Sequence, residues 1–387
     1  MKKILTLNNI AAEGLEKFPR DRYEVGSEIS APEAILLRSF KMHDMEIPES
    51  LLAVGRAGAG VNNIPVDRMT ESGIAVFNAP GANANAVKEL VIAGMLLACR
   101  NLCPAWAYTQ GLDGSDAELS KAVEAGKKQF VGYELPGRTL GVIGLGAIGV
   151  KVANAAVALG MKVVGFDPGI SVRSAWNLSS EVEPAGSADE LVARADFLSL
   201  HVPLIDATRN LINAERIALM PEGAVVMNFA RDGIVDDQAV LDALESGHLH
   251  AYVSDFPSNL LKGRDGVITL PHLGASTVEA EQNCAVMVAD ELIDYLENGN
   301  VRNSVNFPEL RLARGSDHRL SVVNANRPDM VGQISHALGQ HEINIQRMAN
   351  ESRGDIAYTL MDLDREPDEA VLQQISAIDG VLKARAL

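Results

Sequence analysis

A glycine-rich turn between two apolar strands constrains the fold of this chain more than any other feature. Residues 140–143 form a short apolar run typical of a buried parallel strand, and an alanine-rich helix and a second strand at 163–166 follow it. The glycines between the first strand and the helix have G-x-G-x-x-G spacing and are Gly144, Gly146 and Gly149. Such a turn lets the backbone and a helix N-terminus approach a pyrophosphate group, so this stretch predicts a dinucleotide site.

Asp167 ends the second strand, at the place where an acid accepts hydrogen bonds from the adenosine ribose. A carboxylate there repels the 2′-phosphate of NADP and binds the free diol of NAD. The first basic residue that follows is Arg173, so no cation stands close behind the acid to hold a 2′-phosphate. We therefore predict NAD as the cofactor.

The composition limits the possible partners of the chain. With 47% hydrophobic and 22% charged residues, 387 residues are typical of an ordered globular protein of two or three domains. The formal net charge of −17 disfavours a nucleic-acid partner, because phosphates would be repelled. An anionic small-molecule substrate needs only a local cluster of Arg and Lys, so the charge does not exclude one.

Three further sequence features concern metal, disulfide and membrane sites. Cys99, Cys103 and Cys284 lack the spacing of a metal site, so we expect free thiols and no metal. The apolar N-terminal stretch is too short for a signal peptide, and no apolar run reaches the roughly 18 residues that a membrane span needs. We therefore expect a cytoplasmic protein without a membrane partner.

The first hundred residues have the pattern of a doubly wound α/β unit. Predicted strands at 4–7, 34–37, 51–55 and 74–77 alternate with helical or loop segments. In such open sheets the ligand lies beyond the carboxyl ends of the strands. The residues predicted at that edge, where two arginines beside a glycine-rich loop suit an oxyanion, are Arg38, Ser39, Arg56, Gly58, Gly60 and Asn78.

The glycine turn opens a second α/β unit with later strands predicted at 196–201, 224–228, 250–254 and 267–270. The segment His201-Val202-Pro203 follows the first of these strands and is a predicted wall for adenine or ribose. Arg231 and His272 each lie just past the carboxyl end of another strand. Hydride transfer at a carbinol carbon needs an acid/base, which His272 suits, and a cation for the substrate, which Arg231 suits.

The last 70 residues have a different pattern, in the order β-α-β-β-α-β, after a linker at 309–317. The whole sequence therefore predicts an α/β protein with two doubly wound Rossmann-like domains and a small ferredoxin-like βαββαβ domain at the C-terminus.

Several motifs together resemble the D-isomer-specific 2-hydroxyacid dehydrogenases. The resemblance covers nearly the whole chain, and the motifs that carry it are residues 56–63, 142–149, 200–203, 228–236, 254–256, 270–277 and 305–309. It implies NAD-dependent oxidation of a D-2-hydroxy acid. It also implies a substrate-binding domain (1–97 and 286–308), an inserted NAD domain (98–285) and an ACT-like regulatory domain (316–387). An ACT-like domain favours D-3-phosphoglycerate among the possible substrates.

The resemblance also implies roles for individual residues. Arg231 and His272 would be catalytic, Asp255 would hold the nicotinamide carboxamide, and Lys88 would be a further substrate residue. The other residues implied to line the cofactor are Ala59, Ala147, Ile148, Val202, Phe229, Ala230, Gly274 and Ala275. Asn324, Asn326 and Asn344 would be regulatory. We also expect a homo-oligomer, a dimer or a tetramer.

Two departures from the family pattern affect these implications. The family's catalytic Glu would stand at Leu260, so His272 lacks that carboxylate, and Asp265 is the first alternative partner. In the C-terminal domain Asn324 replaces a His and Asp329 a Gly, which weakens an assignment of serine feedback. Two other functions stay open: a broader reductase of 2-oxoacids such as glyoxylate or 2-oxoglutarate, and a dinucleotide-sensing binding protein.

Overall fold

The computed structural model describes residues 1–387, and the chain forms two compact units. The first unit contains Met1–Ala82 and Val278–Leu387, and the second contains Asn83–Thr277. The domain borders expected after residues 97 and 285 instead fall inside helices, Ala84–Cys99 and Val278–Asn298. Both observed borders therefore lie earlier in the chain, at the start of each of these helices.

The N-terminal part of the first unit contains a five-stranded parallel sheet in the order β2-β1-β3-β4-β5. Its elements are β1 (Lys2–Leu7), α1 (Ala12–Leu15), β2 (Tyr23–Gly26), β3 (Ala34–Leu37), β4 (Ala53–Arg56), α2 (Val66–Glu71) and β5 (Ala75–Asn78). All of β3 is buried, as its uninterrupted apolar sequence requires for a strand covered on both faces. The sequence predicted four of these strands but not β2 or α2.

The second unit begins with three helices and continues as an alternating α/β fold. The helices are α3 (Ala84–Cys99), α4 (Leu102–Gln110) and α5 (Asp116–Gly126). The α/β elements are β6 (Thr139–Ile143), α6 (Ala147–Ala158), β7 (Lys162–Phe166), α7 (Val172–Asn177), β8 (Val182–Pro184), α8 (Ala188–Val192), β9 (Phe197–Leu200), α9 (Ala214–Leu219), β10 (Ala224–Asn228), α10 (Asp237–Glu245), β11 (Leu249–Ser254) and β12 (Val267–Thr269).

The seven strands of the second unit form one parallel sheet in the order β12-β11-β10-β9-β6-β7-β8. The chain starts in the middle at β6, winds outwards through β7 and β8, and then returns to β9 on the other side. This order is the doubly wound arrangement, and its reversal point lies between β6 and β9. The prediction of a Rossmann-like domain is confirmed.

The chain then re-enters the first unit through a long helix and ends in a small domain. The helix is α11 (Val278–Asn298), and the small domain contains β13 (His318–Ala325), α12 (Met330–Gln340), β14 (Ile345–Arg353), β15 (Ile356–Leu363), α13 (Glu369–Ser376) and β16 (Val381–Ala386). Its four strands are antiparallel in the order β14-β15-β13-β16, which is the ferredoxin-like order. The predicted βαββαβ fold is confirmed.

The small domain packs on the rest of the first unit through one continuous apolar core. Val323, Tyr358 and Leu360 of its sheet share that core with Tyr295 and Phe307. Beside the core, carbonyl groups in the last turn of α11 and just after it accept hydrogen bonds from polar side chains. These bonds join Arg385 Nη2 to Tyr295 O (2.8 Å), Arg314 Nη1 to Glu297 O (2.9 Å), Arg319 Nη1 to Asn298 O (2.9 Å) and Tyr358 Oη to Gly299 O (2.7 Å).

No single helix is long and apolar enough to cross a membrane. The bent pair formed by α3 and α4 meets the criteria of length and composition only when its two helices are taken together. Eight residues of α3, including Val91 and Met95, are buried within the protein, so its apolar sequence is explained by packing.

Candidate active site

The carboxyl ends of the strands of the second unit form a single row. Residues at the ends of neighbouring strands pair side by side, and the row runs Phe166, Ile143, Leu200, Asn228, Ser254 and Thr269. The residues that follow are therefore brought to one edge of the sheet: Asp167, Gly144, His201, Phe229, Asp255 and Leu270. This edge contains most of the residues that the sequence predicted for cofactor and catalysis.

The glycine turn has a backbone that other residues would disturb. Gly144 has φ of +93°, and a Cβ there would lie 2.7 Å from the carbonyl oxygen of His201. A Cβ on Gly149 would overlap the carbonyl oxygen of Gly144, so α6 can lie close to the turn only with glycine at that position. Nothing lies within 4 Å of a Cβ built on Gly146, and no side chain caps the first turn of α6. The turn therefore presents open backbone at a helix N-terminus.

Asp167 is tied to the glycine turn by its carboxylate. Oδ2 accepts a hydrogen bond from the backbone amide of Leu145 at 2.8 Å, and Oδ1 accepts one from Gly169 at 2.9 Å. Each carboxylate oxygen has a second lone pair, so these bonds leave acceptor capacity for a ligand. The side chain is half-buried beside the turn, as the sequence predicted.

His201 lies beside the same turn and is held by a neighbouring serine. Its Nε2 lies 2.8 Å from the hydroxyl of Ser199, and burial lowers the pKa of the imidazole to about 3. The ring is therefore neutral at physiological pH, and its buried Nδ1 has no hydrogen-bond partner in the protein. Val202 is half-buried and Pro203 is partly exposed, so the predicted wall of the cofactor site has an apolar surface.

Arg231 follows β10 after two buried residues, Phe229 and Ala230. The side-chain amide of Asn228 donates a hydrogen bond from Nδ2 to the Arg231 carbonyl at 2.9 Å, which fixes the backbone of this segment. Nη1 of the Arg231 guanidinium donates to the Ala230 carbonyl at 2.7 Å, and Arg231 is exposed. Four of the five guanidinium N–H donors remain available to an anion at this edge.

The loop that carries His272 is anchored by Asp255. The Asp255 carboxylate is 1% exposed and accepts hydrogen bonds from the amides of Leu273 (2.8 Å) and Gly274 (2.9 Å), while its carbonyl accepts one from the amide of His272 (3.1 Å). His272 has φ of +55°, a left-handed conformation that costs energy for a residue with a Cβ. Its exposed imidazole contacts the ring of Phe256 edge-on, with centroids 5.1 Å apart. The bonds of Asp255 thus hold His272 at the edge.

The structure does not support Asp265 as a substitute for the missing glutamate. Asp265 precedes β12, whereas His272 follows it, so the two residues lie at opposite ends of the strand. Asp265 instead lines a cavity near Cys103 and His250, at the amino ends of the strands. Leu260 is in an exposed turn and is 37% exposed.

The predicted substrate residues of the first unit lie at the carboxyl edge of its own sheet. The strand ends Leu37, Arg56 and Asn78 pair in one row. The carbonyl of Arg38 accepts hydrogen bonds from Arg56 Nε (3.1 Å) and Asn63 Nδ2 (3.2 Å), which fixes the segment that carries both arginines. The guanidinium of Arg38 forms an ion pair with Glu281, in which Nη2 lies 2.7 Å from Oε1.

The loop beside these arginines depends on a glycine. Gly58 has φ of +155°, and any Cβ there would overlap the guanidinium of Arg56. Asn78 donates a hydrogen bond to the Ala59 carbonyl, and a Cβ on Gly60 would meet nothing within 4 Å. The backbone amide of Ser39 donates to Asn8 Oδ1 at 3.2 Å. These contacts give the edge a fixed backbone with two cationic side chains.

Lys88 is carried by a different part of the chain from the two arginines. It lies on α3 in the second unit and forms a long ion pair with Glu89, with 3.5 Å between Nζ and Oε1. The arginines and Lys88 are therefore carried by different units of the chain, which the sequence pattern did not indicate.

Comparison with known proteins agrees with this arrangement. Residues 92–274 match the family described as D-isomer specific 2-hydroxyacid dehydrogenase, NAD binding domain. The chain is 33% identical over 355 residues to the D-3-phosphoglycerate dehydrogenase of Haemophilus influenzae, covering 89% of this chain and 83% of that protein. It belongs to the D-isomer-specific 2-hydroxyacid dehydrogenases.

Two further relatives support the same placement of this dehydrogenase. The D-3-phosphoglycerate dehydrogenase of Methanocaldococcus jannaschii is 41% identical over 272 residues, which are 69% of this chain but only 49% of that protein. The chain thus spans about half of that relative's length. The structure of NAD⁺-bound 3-phosphoglycerate dehydrogenase from Entamoeba histolytica has a TM-score of 0.61 at 25% identity and covers 80% of this chain and 99% of that one.

The dehydrogenase has a binding edge whose chemistry fits NAD. The open backbone at Gly146 and the uncapped first turn of α6 offer N–H donors to a pyrophosphate. Asp167 adds a carboxylate directly after β7, the position from which this type of fold binds a ribose diol. No group of three or more His, Cys, Asp or Glu side chains is arranged to hold a metal ion.

The three asparagines expected to be regulatory do not form one group within this dehydrogenase. Asn324 and Asn326 lie at the end of β13, opposite the start of β15, because Asn324 pairs with Ala357. Asn344 precedes Ile345, which pairs with Leu363 at the other end of β15. Within a single chain the three asparagines therefore lie at two different ends of the sheet, and their regulatory role stays a prediction. Asp329, which replaces a Gly, has φ of +68°, the conformation in which glycine is free of strain.

Sequence reasoning missed two contacts of the candidate site. The serine that holds His201 lies only two residues before it, and alternation along β9 is a signal that could have placed both on one side. The ion pair between Arg38 and Glu281 joins distant parts of the chain, and no local pattern could have revealed it.

Proposed function

We propose that this dehydrogenase oxidises D-3-phosphoglycerate to 3-phosphohydroxypyruvate with NAD, the first step of L-serine biosynthesis. The curated relatives named above are D-3-phosphoglycerate dehydrogenases. The observation that carries the proposal is the pair of fixed arginines at the edge of the first unit, because a phosphorylated hydroxy acid has two anionic ends to hold.

The cofactor residues have separate tasks in this proposal. When bound, NAD would supply the acceptor for the hydride that leaves the carbinol carbon. The amides of the turn from Gly144 to Gly149 and the start of α6 bind its pyrophosphate, and Asp167 binds the adenosine ribose. The neutral imidazole of His201 adds a polar atom to this wall, since Nδ1 is free of protein partners. The other wall residues are Ala147, Ile148, Val202, Pro203, Phe229, Ala230 and Ala275, with Ala59 carried by the first unit.

The substrate residues provide charge and a proton acceptor. Arg231 binds the carboxylate and polarises the adjacent carbonyl oxygen, since its guanidinium is permanently charged and exposed. His272 takes the hydroxyl proton as hydride leaves and returns it in the reverse reaction. Asp255 acts through His272 by fixing its loop. Arg38, Ser39 and Arg56 bind the remaining anionic group, and Lys88 is a further cation for it.

The experiment that tests the proposal compares substrates under one set of conditions. NADH oxidation is measured with 3-phosphohydroxypyruvate, glyoxylate, pyruvate and 2-oxoglutarate. The proposal requires the highest kcat/KM with 3-phosphohydroxypyruvate. A higher kcat/KM with glyoxylate or 2-oxoglutarate would assign a broader 2-oxoacid reductase. No turnover of any of them, with NADH bound, would assign a dinucleotide sensor.

The partners and the role of the C-terminal domain are part of the proposal. α4 and α5 contain no buried residue, and Trp106 of α4 is 68% exposed, which favours a homo-oligomer that covers these helices. A Trp106→Glu variant that stays oligomeric in analytical ultracentrifugation would exclude this surface. We propose that the protein acts in the cytoplasm and that residues 316–387 are an ACT-like regulatory domain. Titration of the reaction with serine tests the regulatory role.

A further inference from the structure

Arg38 and Glu281 form an ion pair that stability does not explain. Nη2 of Arg38 lies 2.7 Å from Oε1 of Glu281, and the two side chains are 39% and 42% exposed. Ion pairs at such exposed positions stabilise folded proteins little, because water screens the charges and two long side chains lose freedom. The pair therefore calls for a role at the edge where it lies.

Glu281 approaches Arg38 from a different element. It lies in the first turn of α11, where the positive end of the helix dipole favours a carboxylate. Arg38 directly follows β3, and its carbonyl is held by Arg56 and Asn63. The backbone of Arg38 is thus fixed, but its side chain has several rotatable bonds, and the contact that restrains its guanidinium is the one with Glu281.

A guanidinium held in this way still serves an anion. It has five N–H donors, and Glu281 binds at only one nitrogen, so donors remain for an anion. A side chain that is already ordered loses less freedom when a ligand binds, which raises affinity. The carboxylate of Glu281 also opposes an anionic ligand by its charge. The charge of Glu281 is balanced by Arg38 and screened by water. We therefore expect the ordering of Arg38 to affect ligand binding more than the repulsion between Glu281 and the ligand does.

We propose that Glu281 is a positioning residue for the substrate, which orders the Arg38 guanidinium so that its remaining donors bind an anionic group of the 2-hydroxy acid. The proposal rests on the function proposed above, in which Arg38 is a substrate residue.

The test is steady-state kinetics with 3-phosphohydroxypyruvate and NADH. Glu281→Ala should raise KM for 3-phosphohydroxypyruvate roughly fivefold to tenfold, with kcat and KM for NADH changed by less than about twofold. Glu281→Gln keeps a polar oxygen of the same reach beside Arg38 but removes the charge, so it should restore part of the loss. Glu279→Ala removes a carboxylate from the same helical turn without a bond to Arg38 and is the matched control.

A double-variant cycle separates this inference from the proposed function. In an Arg38→Ala background, Glu281→Ala should have no further effect on KM, because the two residues act as one unit. Additive effects of the two substitutions on KM would overturn the inference. An unchanged KM in Glu281→Ala would also overturn it. So would a lower KM, which would mean that Glu281 only competes with the substrate for Arg38. If Arg38→Ala itself leaves KM unchanged, Arg38 does not bind the substrate, and the proposed substrate site at this edge is rejected. Loss of thermal stability with an unchanged KM would assign Glu281 a structural role and reject the positioning role.

Discussion

The buried carboxylate of Asp255 accepts a hydrogen bond from the backbone amide of Gly274 at 2.9 Å. Its other oxygen accepts from Leu273, and its carbonyl accepts from His272, so one residue binds three consecutive amides. The sequence implied that Asp255 binds the nicotinamide carboxamide. In the structure both carboxylate oxygens are engaged with the loop of His272, which indicates that holding this loop is the first task of Asp255.

Replacing Asp255 should therefore harm catalysis more than cofactor binding. Asp255→Ala leaves the amides of Leu273 and Gly274 without their acceptor; the Gly274 amide is buried, so its loss costs on the order of 1–3 kcal/mol, and the loop should shift. Because displacements of about 1 Å can cost 10²-fold in rate, we expect kcat to fall roughly 10- to 100-fold. Asp255→Asn keeps one oxygen acceptor and should lose less. A large rise in the Kd for NAD⁺ with an unchanged kcat would support the carboxamide role instead.

Removing the imidazole of His272 tests the proton transfer directly. His272→Ala should lower kcat by roughly 10²–10⁴-fold, the usual contribution of a general acid/base. NADH binding, followed by fluorescence titration, should stay the same because the pyrophosphate and ribose contacts lie at the glycine turn and Asp167. A variant with full activity would reject the mechanism.

Asp167 should determine the choice between NAD and NADP. Because its carboxylate disfavours a 2′-phosphate, kcat/KM with NAD should exceed that with NADP by roughly tenfold or more, about 1.4 kcal/mol. Asp167→Ala should narrow this ratio but should also weaken NAD binding, since the amides of Leu145 and Gly169 lose their acceptor. Asp167→Asn can keep one of those bonds and isolates the effect of charge. Equal use of the two cofactors by the unmodified enzyme would contradict this assignment.

The ion pair between Arg319 and Asp362 should anchor the C-terminal domain. Both side chains are 0% exposed, and Arg319 Nε lies 2.6 Å from Asp362 Oδ1. Arg319 also donates to the carbonyls of Asn298 and Leu312, so it links the end of α11 and the linker to β13. Arg319→Leu should cost roughly 3–5 kcal/mol of the free energy of unfolding, because the buried carboxylate of Asp362 loses its close cationic partner and keeps only the Gly315 amide and the more distant Arg347. Urea denaturation measures this loss, and Arg311→Leu, at an exposed position, is the control.

Local sequence patterns predicted the elements well where one apolar run makes one element. The bounds of β3 and β10 were predicted to the residue, since each is a short apolar run between clear breaks. β2 was missed because Tyr23–Gly26 is short and contains a glutamate and a glycine, both uncommon in strands.

Long-range relations could not be predicted in the same way. The sequence placed His272 at the correct edge, because every parallel strand ends there. The prediction that Asp265 could be the carboxylate partner of His272 was wrong, since closeness along the chain does not show at which end of a strand a residue lies. The separation of Asn324 from Asn344 likewise depends on the strand order β14-β15-β13-β16, which places them at opposite ends of one sheet.

A buried carboxyl on α11 should make the stability of the protein depend on pH. Glu291 is 1% exposed, and burial raises its pKa to about 8, against smaller lowering effects of Asn303, Arg302 and Arg311 and a raising effect of Asp290. Asn303 Nδ2 donates to Oε1 at 2.6 Å, while Oε2 is buried without a partner. The folded protein therefore keeps the carboxyl protonated over a range in which the unfolded chain releases the proton.

The direction of this pH dependence follows from which state, the folded protein or the unfolded chain, binds the proton of Glu291 more tightly. Between the ordinary glutamate pKa of 4.5 and about 8, the folded state binds more protons than the unfolded chain, so the contribution of Glu291 to stability falls as pH rises. Glu291→Gln stays neutral at every pH. It should match the unmodified protein near pH 5 and exceed it at pH 8 by an amount on the order of a few kcal/mol. Urea denaturation at both pH values measures this difference, with Glu124→Gln, an exposed glutamate paired with Lys127, as the control. If the difference between Glu291→Gln and the unmodified protein is the same at pH 5 and pH 8, Glu291 is not protonated in the folded state and the prediction is wrong.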